Sequence, residues 1–151
     1  MLRTRLNEAL KEAMRAKNQR AVSTLRLILA ALKDRDIAAR GRGVTDGITE
    51  DEILAMLQTM IKQRREAIAL YEQGGRLELA EQEREEIAVI EGFLPRQLDD
   101  DQVRDAVDGV IRELGASGLK DMGRTMAELR ARYAGQMDFA KASGVVRAAL
   151  G

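Results

Sequence analysis

The amino-acid sequence predicts an all-α fold, and three observations support that prediction. The chain of 151 residues contains one proline, so almost no segment is barred from being helical. Apolar residues recur at intervals of three and four along most of the chain, which is the spacing of one helix face. No segment alternates apolar and polar residues in the manner of a strand. Aromatic residues make up only 3% of the chain, so the core is expected to be aliphatic.

Four helices are predicted in the first part of the chain. Apolar stripes over residues 2–13 and 22–32 indicate the first two, and the glycine-rich run "ARGRGVTDG" (39–47) ends the second. Thr49 and Glu52 have the spacing of a capping box, which predicts that the third helix begins there. A fourth helix is predicted from about Leu77 to Glu91.

The segment "GFLPRQL" (92–98) contains the only proline and is predicted to be a domain boundary. We expect an N-terminal helical bundle over 1–94 and a small three-helix domain over 95–151. Asp99 with Gln102 resembles a second capping box, and Asp138 is a candidate cap for the last helix. The middle helix of this domain is predicted to bury one stripe: Leu119, Met122, Met126, Leu129 and Tyr133. The last helix is predicted to bury another: Phe139, Ala142, Val145, Val146, Ala149 and Leu150.

Two missing residue types exclude whole classes of chemistry. The chain has no cysteine, so it has no disulfide, thiolate nucleophile or structural zinc site of the usual kind. It has no histidine, which removes the commonest general base and the Ser-His and Cys-His arrangements. An oxygen-ligated Mg or Ca site and a Ser-Lys pair stay open in principle. We predict no catalytic residues, no metal and no cofactor.

No apolar run approaches the length of a spanning helix, and the N-terminal segment lacks the apolar region of a signal peptide. We therefore expect a soluble, cytoplasmic protein without a membrane partner.

Charge is distributed unevenly, although the 25 basic and 25 acidic residues cancel. Residues 1–45 carry eleven Lys/Arg and four Asp/Glu, a net charge of +7, whereas residues 51–94 carry five and ten, a net charge of −5. Residues 119–151 carry six and three, a net charge of +3. This split permits a polyanion to bind one end of the molecule. It equally permits basic and acidic helices to pack together, and on charge alone we favour that intramolecular interpretation.

The segment "GLKDMGRTMAELRARYAGQMDFAKASGVVRAAL" (118–150) is the main candidate for a nucleic-acid-binding surface. Its basic residues are Lys120, Arg124, Arg130, Arg132, Lys141 and Arg147. Arg124, Glu128 and Arg132 are spaced four apart, so both arginines could pair with Glu128. Lys120 and Lys141 lie in or just before first turns, where the macrodipole disfavours a cation, which makes them candidates for function. Free helix N-terminal amides could add phosphate contacts, and a target would be recognised by shape and backbone.

Other clusters have ordinary structural interpretations. Lys62, Arg64 and Arg65 in "KQRREA" form a secondary basic patch, although a solvated helix face explains them more simply. The acids of "LDDDQ" (98–102) could hold a hard cation, but capping and the helix macrodipole account for them.

Three blocks of the sequence resemble the GatB/YqeY family, and the resemblance covers essentially the whole chain. They are "STLRLILAALKDRDIAAR" (23–40), "MLQTMIKQRREAIALYEQGGRLELAEQEREEIAVIEGFLPRQL" (56–98) and "ASGLKDMGRTMAELRARYAGQMD" (116–138). The match is to the small stand-alone members. The family often has Gly-x-Ala-Asp-Gly where this chain has "GQMDF" (135–139), so Phe139 replaces a small residue. Phe139 either enters the core or adds an apolar side chain to the candidate surface.

The resemblance implies that residues 95–151 are similar to the tail of the B subunit of glutamine-dependent aspartyl/glutamyl-tRNA amidotransferase. That tail binds tRNA, whereas the amidation chemistry lies in other domains of the enzyme. The implied family activity is a carbon–nitrogen ligase with glutamine as amido donor, but this chain has no counterpart of the catalytic domains. We therefore predict a non-catalytic tRNA-associated protein. The alternatives are an adaptor that joins amidotransferase or aminoacyl-tRNA synthetase proteins, and amide transfer by the chain itself.

Overall fold

The computed structural model describes residues 1–151 and contains seven α-helices, one short 3₁₀ turn (Leu119–Asp121) and no strand. The predicted all-α class is therefore confirmed. The helices are α1 (Leu2–Arg15), α2 (Gln19–Gly41), α3 (Glu50–Gln73), α4 (Leu77–Glu91), α5 (Asp100–Leu114), α6 (Met122–Tyr133) and α7 (Phe139–Leu150). The chain divides into two compact parts, unit 1 (Met1–Leu94) and unit 2 (Pro95–Gly151).

Unit 1 is a helical bundle in which α4 packs against α3 and α2, and α1 packs against α2. The predicted capping box begins α3: Thr49 Oγ1 accepts from the Glu52 N–H, and the Glu52 carboxylate accepts from the Thr49 N–H. The core is aliphatic, and its largest fully buried apolar side chains are Leu6, Ile28, Ile53, Met56, Leu57 and Ile90.

An ion pair and a glycine together hold the loop between α2 and α3. Arg3 donates to both carboxylate oxygens of Asp36, at 2.7 and 2.8 Å, and also to the carbonyl of Ile48. Asp36 Oδ1 accepts a further bond from the Ile48 N–H. Gly47 passes beside this pair at φ +85°, where a Cβ would lie 2.6 Å from Arg3 Nη2. No other residue fits there without displacing the pair, because a side chain would add this clash to a strained backbone.

Asp36 is expected to make unit 1 sensitive to acid. The hydrogen bond from Arg3, and next that from the Ile48 N–H, lower the pKa of Asp36 to about 2. A carboxyl with a depressed native pKa stabilises the fold above its unfolded pKa and loses that effect as the pH falls through the native value. Between about pH 4 and about pH 2, we expect the free energy of unfolding to fall by roughly 2 kcal/mol from this group. Urea titrations at several pH values should show this loss in the wild type and not in the Asp36→Asn variant. If the free energy of unfolding depends on pH in the same way in both proteins, Asp36 is not the cause of the loss.

The turn between α1 and α2 contains a lysine in a conformation that glycine normally adopts. Lys17 has φ +56°, and it is the only non-glycine residue of the chain with a positive φ. The Lys17 N–H donates to the Met14 carbonyl and the Asn18 N–H to the Ala13 carbonyl, which is the Schellman pattern of helix termination. The ends of α2, α3 and α5 form the same pattern with Gly43, Gly75 and Gly115 at the left-handed position.

Unit 2 packs α5, α6 and α7 around a second, separate core. The predicted Asp99–Gln102 capping box begins α5, and Asp138 caps α7. The buried side chains of this core are Val107, Val110, Met126, Leu129, Met137, Ala142, Val146 and Leu150. Two predicted core positions are wrong, because Leu119 is 55% exposed on the 3₁₀ turn and Ala149 faces solvent. Thr125, which is not part of the predicted stripe, is buried, and its hydroxyl donates a hydrogen bond to the Asp121 carbonyl.

Candidate nucleic-acid interface

The outer faces of α6 and α7 carry the same arrangement of basic and small residues. On α6, Arg124 and Arg130 flank Ala127, and on α7, Lys141 and Arg147 flank Gly144, each at intervals of three residues. These positions are all exposed. In an α-helix the two cations of such a set lie about 120° apart, with the small residue midway between them. The small side chains leave room for another backbone to approach between the flanking cations.

Four of the six predicted site residues are exposed and have no carboxylate partner: Lys120, Arg130, Lys141 and Arg147. We call these four residues the free cations of unit 2. Helix α7 contains no acidic residue, so nothing on that helix neutralises Lys141 or Arg147.

The other two predicted site residues form ion pairs within unit 2. Arg124 donates to Asp121 at 3.0 Å, so the predicted pairing of Arg124 with Glu128 is wrong. Asp121 lies on the 3₁₀ turn, three residues before Arg124. Its carboxylate oxygens accept hydrogen bonds from the Arg124 side chain and from the Ser117 N–H. These two bonds, that from Ser117 first, hold the pKa of Asp121 below its usual range. Arg124 is therefore poorly placed to contact a phosphate.

Arg132 is held by two carboxylates. It pairs with Glu128 as predicted, and also with Glu113 on α5, which the sequence did not indicate. The bonds to Glu113 and Glu128 raise the pKa of the Arg132 guanidinium above its usual value. The charge of Arg132 is thus largely neutralised on the protein itself.

Phe139 is half-buried and packs against the core of unit 2. The guanidinium carbon of Arg130 lies 5.8 Å from the centroid of that ring, within the range of a cation–π contact. The residue that departs from the family pattern therefore joins the core and also positions one of the free cations of unit 2.

The first amides of α7 are not available to a phosphate. Asp138 Oδ1 accepts from the Ala140 N–H at 2.9 Å and from the Lys141 N–H at 3.4 Å. The expectation that free amides of this helix add phosphate contacts is therefore wrong at α7. Recognition of an anion there depends on side chains.

The secondary basic patch is divided by the fold of unit 1. Arg64 is mostly buried, and its Nε lies 2.9 Å from Glu86 and 3.9 Å from Glu83 on α4. Arg65 pairs with Glu91 at 3.3 Å. Lys62 is exposed and has no carboxylate partner. The structure therefore uses the two arginines to bind the acidic helix.

One basic residue of the segment 1–45 pairs with the acidic segment 51–94 in unit 1. Arg20 on α2 pairs with Glu85 at 3.0 Å and lies 3.9 Å from Glu86. Burial, and next the neighbouring Glu86 carboxylate, raise the pKa of Glu83. The contacts of Arg20 are of the kind that the intramolecular interpretation predicts, but they involve one of the eleven basic residues of 1–45.

Unit 1 also has a groove with a volume of about 890 Å³ beside the turn between α1 and α2. Its apolar lining includes Met14 and Leu27, which are 45% and 49% exposed. Its basic lining includes Lys17 and Arg26, neither of which has a carboxylate partner. The sequence prediction missed this site, although Asn18 is a good helix N-cap residue and could have indicated the turn.

No group of three or more Asp or Glu side chains is arranged to hold a metal ion. None of the seven helices combines the length and the apolar character needed to cross a membrane.

The fold and these surfaces define an all-α protein of two units, with a basic helix pair in the second. A model of the family described as "Yqey-like protein" matches residues 3–150, so the chain belongs to that family. This confirms the resemblance seen in the sequence.

Two fungal proteins with the name "Altered inheritance of mitochondria protein 41, mitochondrial" are similar to this chain. The protein from Lachancea thermotolerans is 30% identical over 89 residues, which cover 59% of this chain and 46% of the relative. The protein from Pyrenophora tritici-repentis is 30% identical over 135 residues, which cover 85% of this chain and 71% of the relative. The chain thus spans about half the length of the first relative. Their names place those relatives in mitochondria, and the cytoplasmic location expected for this chain stays a prediction.

Proposed function

We propose that this chain is a non-catalytic, tRNA-associated protein linked to tRNA-dependent amidation, and that it contacts tRNA through the free cations of unit 2. The observation that carries the proposal is the basic surface of α6 and α7, on which Arg130, Lys141 and Arg147 are exposed and have no carboxylate partner. The resemblance of residues 95–151 to the tRNA-binding tail of an amidotransferase subunit supports the choice of tRNA.

The chemistry of this surface favours contacts to the phosphate backbone. Its exposed polar groups are donors on flexible cationic side chains, and Phe139, half-buried under Arg130, is poorly placed to stack on an unpaired base. Such a surface recognises the shape and charge of a folded RNA more than its sequence. Because the chain lacks cysteine and histidine, we propose no amide transfer by the chain itself.

A titration against total tRNA tests the proposal. Four phosphate contacts give a slope of about −3 in log K against log salt, so affinity should fall roughly 50-fold between about 50 mM and about 200 mM salt. Filter binding of the full chain should show this fall, with weaker binding to a DNA duplex of similar length. No binding at the lower salt concentration, or equal binding to DNA, would contradict the proposal.

An adaptor for amidotransferase or synthetase proteins is the second candidate function. The observation that favours it is the groove in unit 1, where apolar side chains are exposed beside cations without carboxylate partners. Partners that stay bound to the chain after nuclease treatment would support the adaptor.

A further inference from the structure

The groove in unit 1 contains a side chain that local structure alone does not explain. The left-handed position at the end of α1 suits glycine, and the chain uses glycine at the corresponding position of α2, α3 and α5. Lysine at this position is strained, because its Cβ crowds the backbone. Strained residues are held in place by the structure around them and cluster at ligand sites, and the side chain of Lys17 lines the groove.

We propose that this groove binds an acidic amphipathic helix of a partner protein, with the carboxylates of that helix paired to Lys17 and Arg26. The inference does not depend on the proposed RNA binding, because the groove and the basic helix pair belong to different units. It gives the adaptor hypothesis a definite site and a definite class of partner.

Charge complementarity is the first support for an acidic partner. Three cationic residues line the groove: Lys17, Arg20 and Arg26. The only carboxylate among its lining residues is that of Glu86. Glu86 already accepts from Arg64 at 2.9 Å, and Arg20 already pairs with Glu85. The charges that stay without a partner are those of Lys17 and Arg26, and both are positive.

The apolar lining is the second support, since it distinguishes a protein helix from a nucleic acid. Met14 and Leu27 expose about half of their surface, and Val22 is half-buried beside them. The Arg26 Nη2 atom lies 3.9 Å from the Met14 sulfur, so a basic and an apolar group lie side by side. A flexible methionine beside leucine is typical of grooves that accept amphipathic helices. The phosphates of RNA would gain nothing from these apolar side chains.

A fluorescein-labelled designed peptide of about 15 residues, or roughly four turns, provides the probe. It carries leucines at i, i+4, i+7 and i+11 with glutamates beside them, and its twin has lysines in place of the glutamates. We expect the full chain to bind the acidic peptide in fluorescence polarisation and to bind the basic twin at least tenfold more weakly.

The decisive variant is Lys17→Gly, because it is expected to raise the stability of the protein and to lower its affinity for the acidic peptide. Relief of the left-handed strain should raise the melting temperature by roughly 4 °C. Loss of the ammonium group should weaken peptide binding about tenfold, and Leu27→Gln should weaken it by a similar factor. The controls are Lys33→Gln and Leu70→Gln, which change an exposed lysine and an exposed leucine outside the groove and should leave binding unchanged.

Several results would overturn the inference. They are unchanged peptide affinity in the more stable Lys17→Gly variant, equal losses in the control variants, equal binding of the two peptides, and no binding at millimolar peptide. Displacement of the peptide by tRNA from the wild-type groove would assign the site to nucleic acid instead.

Discussion

Replacement of Arg64 with alanine is expected to lower the free energy of unfolding of unit 1 by about 3 kcal/mol, since it removes one partner of a largely buried ion pair. The side chains of Arg64 and Glu86 are 14% and 15% exposed, so solvent compensates little for a lost partner. Glu83 lies 3.9 Å from Arg64 and already has a raised pKa, chiefly because of burial. Without Arg64, two neighbouring carboxylates share one region with only Arg20 nearby. Hydrogen exchange of the α3 and α4 amides measures this loss in unit 1 alone.

The neighbouring residue supplies the control. Arg65 is 66% exposed and makes a single contact with Glu91, so Arg65→Ala is expected to cost less than about 1 kcal/mol. A second signature separates the two variants. Lowering the pH should reduce the deficit of Arg64→Ala, because Glu83, whose pKa burial already raises, takes up a proton and no longer repels Glu86. Equal losses in the two arginine variants would show that burial does not distinguish them.

Reversal of three charges in unit 2, with Arg130→Glu, Lys141→Glu and Arg147→Glu combined, is expected to reduce tRNA affinity at least 100-fold at low salt. Each site loses a phosphate contact and gains a repulsive carboxylate, so a loss of about 3 kcal/mol is expected. The salt slope should fall in magnitude by about 2 at the same time, because three of the four phosphate contacts are lost. Filter binding gives both quantities, and circular dichroism checks that the helices persist.

A triple variant in unit 1 separates the site from the net charge. Lys33→Glu, Arg35→Glu and Arg42→Glu alter three exposed cations, which also lack carboxylate partners, and change the net charge by the same amount. The loss of affinity should be clearly smaller in this variant. Equal losses would mean that tRNA responds to the overall charge of the molecule, and the proposed surface of α6 and α7 would then be wrong.

Local features of this fold could be predicted from the sequence because their partners lie within one helical turn. The capping boxes at Thr49–Glu52 and Asp99–Gln102 join residues three apart, and both are confirmed. The pair of Arg132 with Glu128 is likewise local and confirmed.

Features that depend on how helices pack could not be predicted in this way. Arg132 and Glu113, 19 residues apart, meet because α5 packs against α6, and Arg64 reaches Glu86 through the packing of α3 on α4. Leu119 is exposed because it lies on the 3₁₀ turn before α6 and not on the helix itself. For the candidate site, the sequence supplied all six basic residues. The ion pairs of the structure, two of them local and one between α5 and α6, separate the four free cations of unit 2 from the two neutralised arginines.

The two cores share no residue, and this has a genetic consequence. The buried set of unit 1 ends at Ile90 and that of unit 2 begins at Val107. Because distant substitutions combine almost independently, a cavity at Leu57 and a cavity at Leu129 affect different parts of the chain. Missense alleles are thus expected to fall into two groups, each of which destabilises one unit, and the losses of unfolding free energy from one allele of each group should add.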